Sequence, residues 1–346
     1  MGFYSRLLLK KNRKYLKKKR YSIAPQMSEY DKLISDWVPY LMYFNGRSFI
    51  GRYVNTDEHG FRKTVSNNGF SLSYEDFESN KKFTKKSIVL GSSTAFGVGA
   101  TDDKYTITSI LNKNSNHLWF NFGGRAIIST QEVILFLLFF PEKLKNIVIC
   151  SGINNLLISS ISKNNSKIFT PFFGQSIYEK AIDSLEKGKS SNKKRLIENF
   201  IKIDQYKDQN DRSFSKNEYD DLLCCFSRDM KIISTIANFN RIQVTYFLQP
   251  FLPWIKKELS DEEIMLMDIN DKLRPNTGKS YSMLCDHESQ YTKDIEEICN
   301  NYNVNFINLN KSKAFLSNKW LFVDRIHLTN EGYSLASNII QQKIKL

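Results

Sequence analysis

The 346-residue sequence has little cysteine, little histidine and no long hydrophobic run, and each scarcity removes a class of protein. The five cysteines, Cys150, Cys224, Cys225, Cys285 and Cys299, are an odd number and form no CxxC pair. That argues against a disulfide framework and for reduced thiols in a cytoplasmic protein. The four histidines, His59, His117, His287 and His327, are scattered without ligand spacing, so no metal is expected. The longest apolar stretch, residues 133–140, falls far short of the about 20 residues that cross a bilayer. Three leucines at 7–9 are too few for the apolar region of a secretory signal.

Acidic side chains are absent from residues 1–20, which hold nine basic ones, while the rest of the chain is close to charge balance. Such a stretch reads either as a solvated arm or as a helix lying on an anionic membrane surface, with Phe3, Tyr4, Leu7, Leu8 and Tyr15 along one side. The body carries no basic stripe or recognised fold for nucleic acid, so no such partner is expected. Its 41% hydrophobic, 13% aromatic and 25% charged residues are those of a chain that builds a sizeable core.

Short apolar runs alternate with helical patterns. Strands are expected at 87–90, 117–122, 146–150, 242–248 and 304–309, and helices at about 103–112, 130–140, 219–238, 287–302 and 329–344. This rhythm predicts an α/β fold: a doubly wound, flavodoxin-like parallel sheet of five strands with helices on both faces. The expected organisation is a basic tail over 1–20, a lead-in over 21–85 packed on the core, and the α/β domain over 86–346. Two irregular insertions are expected within it, at about 158–215 and 254–280.

Ligands of such sheets bind outside the carboxyl ends of the strands. There the chain offers Ser92 and Ser93 after the first strand, Gly123 and Gly124 after the second, Gly152 and Asn154 after the third, and Asp324 with His327 before the last helix. These are parts for acyl transfer. A serine hydroxyl needs a base, an imidazole suits that task, and a carboxylate three residues earlier can orient the ring. The oxyanion wants preorganised donors, each worth about 3 kcal/mol of barrier. Taken singly, each piece has a plain reading as a turn; what counts is that four loops deliver them in order. Competing motifs fail: Ala95 breaks G-x-S-x-G, no Lys follows within Gly91–Gly97, and Gly97-Val98-Gly99 has Asp102 where a third Gly belongs.

In this order the residues resemble the SGNH (GDSL-like) hydrolases. Gly91-Ser92-Ser93 is similar to that family's Gly-Asp-Ser, Asn121 through Ala126 to its Asn followed five residues later by Gly, Gly152-Ile153-Asn154-Asn155 to its Gly-x-Asn-Asp, and Asp324-Arg325-Ile326-His327 to its Asp-x-x-His. The resemblance covers residues 86–346. It implies Ser93 as nucleophile, His327 as base and Asp324 as its orienting acid. It also implies an oxyanion hole of the Ser93 N–H, Asn154 and either Ala126 or Gly124, with no cofactor. Ser92 and Asn155 stand where the family has acids. Ala126 stands where it has glycine, so that donor is expected to survive only if the backbone there needs no positive φ. The implied activity is an esterase acting on O-acylated carbohydrate of bacterial surface polysaccharide. An O-acyltransferase, or a silent carbohydrate-binding or membrane-associated scaffold, are the alternatives. Arg125 is a candidate partner for an acidic sugar, and Asn155 a supporting residue.

Overall fold

The computed structural model of the protein describes residues 3–81, 83, 85–162, 165–175 and 214–344. Five runs form one parallel sheet: β1 (Lys86–Gly91), β2 (Leu118–Gly123), β3 (Leu144–Ser151), β4 (Gln243–Leu248) and β5 (Asn305–Asn308). Their order is 2-1-3-4-5, the flavodoxin-like arrangement expected. Strand direction alternates side chains between two cores. Val89, Val148 and Phe247 pack with Ile107, Leu111, Tyr333 and Ile340 on one face. Ile88, Leu90, Ile147 and Ile149 pack with Val133, Phe136, Phe226 and Ile295 on the other. The order reverses between β1 and β3, the place where sheets of this kind bind ligands, outside the carboxyl ends of the strands.

Several helices depart from expectation. The helix after β1 is split: a 3-10 turn spans Asp103–Tyr105, and Thr106, accepting from the Ser109 N–H, caps a new helix Ile107–Asn114. The stretch 254–280 is not irregular, for Asp261–Leu273 and Pro275–Asp286 are helices. The cause lies in local chemistry, since Ser260 and Glu263 form a reciprocal cap and proline opens the second helix. The insertion expected at 158–215 begins as the end of the helix Ile153–Ile161 and lies for the most part outside the described residues.

The basic stretch is a helix, Phe3–Ile23, and not an arm, so the boundary expected at residue 20 falls inside it. Leu16 and Arg20 are buried, and Arg20 pairs with Asp31 at 3.2 Å. The lead-in that follows has two strand pairs of two residues each, Ser35–Asp36 with Phe44–Asn45 and Thr64–Val65 with Ser71–Leu72. Phe61, Tyr74 and Phe77 from this segment pack against Phe120 and Phe122 of β2. No helix of the described residues is long and apolar enough to cross a membrane.

Candidate active site

β1 ends at Gly91, where φ is +145° and a Cβ would lie 2.2 Å from the Cys150 carbonyl oxygen, so only glycine lets the chain turn this close to β3. Ser92 follows, and then a single helical turn, Ser93–Phe96. Ser93 is its first residue and its N–H has no partner among the described residues. Gln249, just beyond β4, brackets Ser93 from both sides. Its Oε1 accepts from Ser92 Oγ at 2.6 Å, and its Nε2 donates to Thr94 Oγ1 at 3.2 Å. Sequence reasoning missed Gln249; the available signal was a polar residue at the carboxyl end of a buried strand.

His327 arrives 234 residues later, and its Nε2 accepts from Ser93 Oγ at 2.8 Å. Its Nδ1–H donates to Asp324 Oδ2 at 2.7 Å, a tautomer assigned from the bond network. The other carboxylate oxygen, Asp324 Oδ1, accepts the N–H of Ile326 and of His327 itself, each at 2.9 Å. Burial alone would raise the Asp324 pKa. The imidazole beside it and these hydrogen bonds outweigh burial and hold the carboxyl well below the usual range. The acid therefore stays ionised and keeps the ring turned toward Ser93.

Helix Asp261–Leu273 braces this loop. Buried Glu263 accepts the N–H of Leu321 at 2.9 Å and of Phe322 at 3.0 Å, while Lys257 neutralises it. Arg325 forks onto the Asp271 carboxylate, with one branch at 2.7 Å, and lies over the Tyr281 ring.

The loop after β2 forms the opposite wall. A Cβ on Gly123 would sit 2.1 Å from the Phe96 nitrogen, so the loop lies directly on the serine helix. The N–H of Gly124 donates to the Gly91 carbonyl at 2.9 Å and is unavailable to an oxyanion, which removes the fallback donor. Ala126 has φ +59°, so the position does take up a left-handed backbone, with alanine in it, contrary to the condition set from sequence. Its N–H has no partner among the described residues. Asn154 Nδ2 donates to the Ile127 carbonyl at 2.8 Å, which leaves its second amide hydrogen.

Two sequence candidates serve elsewhere. Asn155 is buried and its Oδ1 accepts from the Ser129 N–H at 3.0 Å, so it fixes the start of the helix Ser129–Leu138. Arg125 is held from the lead-in: its guanidinium donates to the Leu33 carbonyl and its N–H to Asn45 Oδ1 at 2.9 Å, which corrects the expected anchor for an acidic sugar. His117 is a buried histidine bonded to Ser87 and Asn146. Among the described residues one grouping brings three potential metal-ligand atoms together, Glu58, His59 and Glu75, on the surface and without a tie to Ser93. Glu75 is too far from the adjacent Glu58 and His59 for the three to read as a set in the sequence.

No family model and no curated protein matches the chain. Among solved structures it is similar to an acetyl xylan esterase, AlAXEase, with 12% identity and a TM-score of 0.36 over 75% of this chain and 100% of that one. It is also similar to a GDSL-like lipase from Bacteroides thetaiotaomicron VPI-5482, with 13% identity and a TM-score of 0.37 over 77% and 89%. A third likeness is to LAE5, an α/β hydrolase enzyme from the metagenome of Lake Arreo, Spain, with 11% identity and a TM-score of 0.39 over 75% and 93%. Likeness of this degree adds nothing to the topology already described.

Proposed function

We propose that the protein is a serine-dependent ester hydrolase of the SGNH type. The observation that carries this reading is the unbroken hydrogen-bonded line from Ser93 Oγ through the His327 imidazole to Asp324. As the ester carbonyl docks, Ser93 Oγ attacks its carbon and His327 Nε2 takes the hydroxyl proton, while Asp324 stabilises the imidazolium. The negative oxygen of the tetrahedral intermediate is met by the N–H of Ser93, the N–H of Ala126 and the second amide hydrogen of Asn154. Collapse expels the alcohol, protonated by His327, and leaves an acyl-Ser93 ester. Water, deprotonated by the same imidazole, then releases the acid.

The substrate class we infer is an O-acylated carbohydrate, on the resemblance of the Gly91–Ala100 block to enzymes of surface-polysaccharide acylation. The basic helix Phe3–Ile23, which exposes Lys11, Arg13, Lys14, Tyr15, Lys18 and Lys19 along its described part, suits peripheral contact with an anionic bilayer. Sedimentation with phosphatidylserine vesicles, reversed by salt, tests that contact.

Turnover of p-nitrophenyl acetate tests the chemistry. Ser93→Ala and His327→Ala should each lose several powers of ten in kcat. Wild-type rate in Ser93→Ala, or no labelling of Ser93 by a fluorophosphonate, overturns the reading. Adding a sugar acceptor separates hydrolysis from transfer, since a transferase releases little free acetate when acceptor is abundant.

A further inference from the structure

Ala126 poses a physical problem that the site alone does not solve. A non-glycine residue at φ +59° is strained, and alanine has no side-chain polar group to offset the strain as asparagine would. Something outside the residue must hold it there.

The lead-in supplies the hold. Five hydrogen bonds from residues 33–45 reach the stretch 123–131. Asn45 Nδ2 donates to the Gly123 carbonyl at 3.1 Å, and Asn45 Oδ1 accepts from the Arg125 N–H at 2.9 Å. Arg125 donates to the Leu33 carbonyl, and Gln131 Nε2 to the Leu41 carbonyl at 2.6 Å. The fifth is the Tyr43 hydroxyl, which donates to the Ala126 carbonyl itself. The holding segment is strained as well, with Tyr40 at φ +68° and Met42 at φ +66° on either side of Leu41. Strain of this kind, shared by two segments in contact, marks a geometry that packing imposes.

We infer that Tyr43 is a positioning residue for the oxyanion hole: by fixing the Ala126 carbonyl, its hydroxyl keeps the Ala126 backbone in the left-handed conformation that glycine would reach unaided, and so keeps the N–H on the other side of that residue available to the oxyanion. The inference rests on the proposed ester chemistry, with Ala126 as donor. Tyr43 touches neither substrate nor Ser93 in this scheme; it acts through the backbone dihedrals of one residue, Ala126.

The test is a four-protein cycle of wild type, Tyr43→Phe, Ala126→Gly and the double variant, with kcat and KM measured on p-nitrophenyl acetate. Losing one oxyanion donor costs about 10²–10³ in kcat, and Tyr43→Phe should fall by that order with KM little changed. In the Ala126→Gly background, where positive φ carries no steric penalty, removing the hydroxyl should cost less than about tenfold. Equal losses in both backgrounds make Tyr43 a merely structural residue and overturn the inference, as does full activity in Tyr43→Phe. The crystal structure of Tyr43→Phe gives a readout independent of turnover: Ala126 should leave the left-handed region, and an unchanged φ there overturns the inference even if the protein proves inactive. Ser93→Ala, run alongside, isolates failure of the ester chemistry itself, since wild-type turnover in that variant removes the serine without bearing on what holds Ala126.

Discussion

The two walls that flank Ser93 are built differently. The His327 wall is braced by charge: the Glu263 carboxylate on the N–H groups of Leu321 and Phe322, Lys257 on Glu263, and Arg325 on Asp271. The Ala126 wall is braced mainly by carbonyls, an amide and a phenol, from a segment that lies outside the βα core. Under the proposed chemistry the difference suits the task. An imidazole that would change charge during turnover is steadied by fixed charges nearby, whereas an oxyanion donor would have to be aimed, and neutral hydrogen bonds aim a backbone without perturbing the site's potential.

The charged wall should break most visibly. Asp324→Asn leaves the ring in place but favours the wrong tautomer, and kcat should fall by about 10⁴ while folding is preserved, as urea denaturation will show. Glu263→Ala strands buried Lys257 and orphans two backbone N–H groups; a loss of about 3–5 kcal/mol is expected from the same denaturation experiment. Behind the oxyanion side lies Glu132, fully buried, with Ser151 donating to one oxygen and the other unpartnered among the described residues. Burial pushes its carboxyl up to about 8. Because this folded-state value exceeds the unfolded one, the native protein holds a proton that the unfolded chain has released between them. Stability should therefore fall as pH rises from about 4.5 to 8, and Glu132→Gln should flatten that slope, gaining most over wild type at pH 8.

The neutral wall should yield by smaller steps. Asn45→Ala removes three hydrogen bonds, to the Gly60 and Gly123 carbonyls and from the Arg125 N–H, and should cost about 1–3 kcal/mol, read from the shift in urea midpoint. Back on the charged wall, Arg325→Ala should cost least of all, about 1 kcal/mol or below, because Asp271 is well exposed, and its effect should shrink in high salt.

What the sequence revealed divides along the same line. Strands buried on both faces read as continuous apolar runs, so β1 to β4 were legible to within two residues. The parts carried by local order were legible too: Ser93 after β1, Asn154 after β3, and Asp324 three residues before His327. The bracing was not. Tyr43 meets Ala126 across 83 residues and Gln249 meets Ser92 across 157, and no local pattern encodes such contacts. The helices at 261–286 were a different failure, since Ser260 followed by Glu263 spells a helix start that was there to be read.

The 234 residues between Ser93 and His327 also bear on how the protein is made. At roughly 5–20 residues per second, a ribosome delivers the hydroxyl on the order of ten to fifty seconds before the imidazole that, in the proposed chemistry, activates it. Throughout that interval the nascent chain would carry an inert alcohol, and on the proposed reading neighbouring esters are safe from it until the last βα unit has emerged.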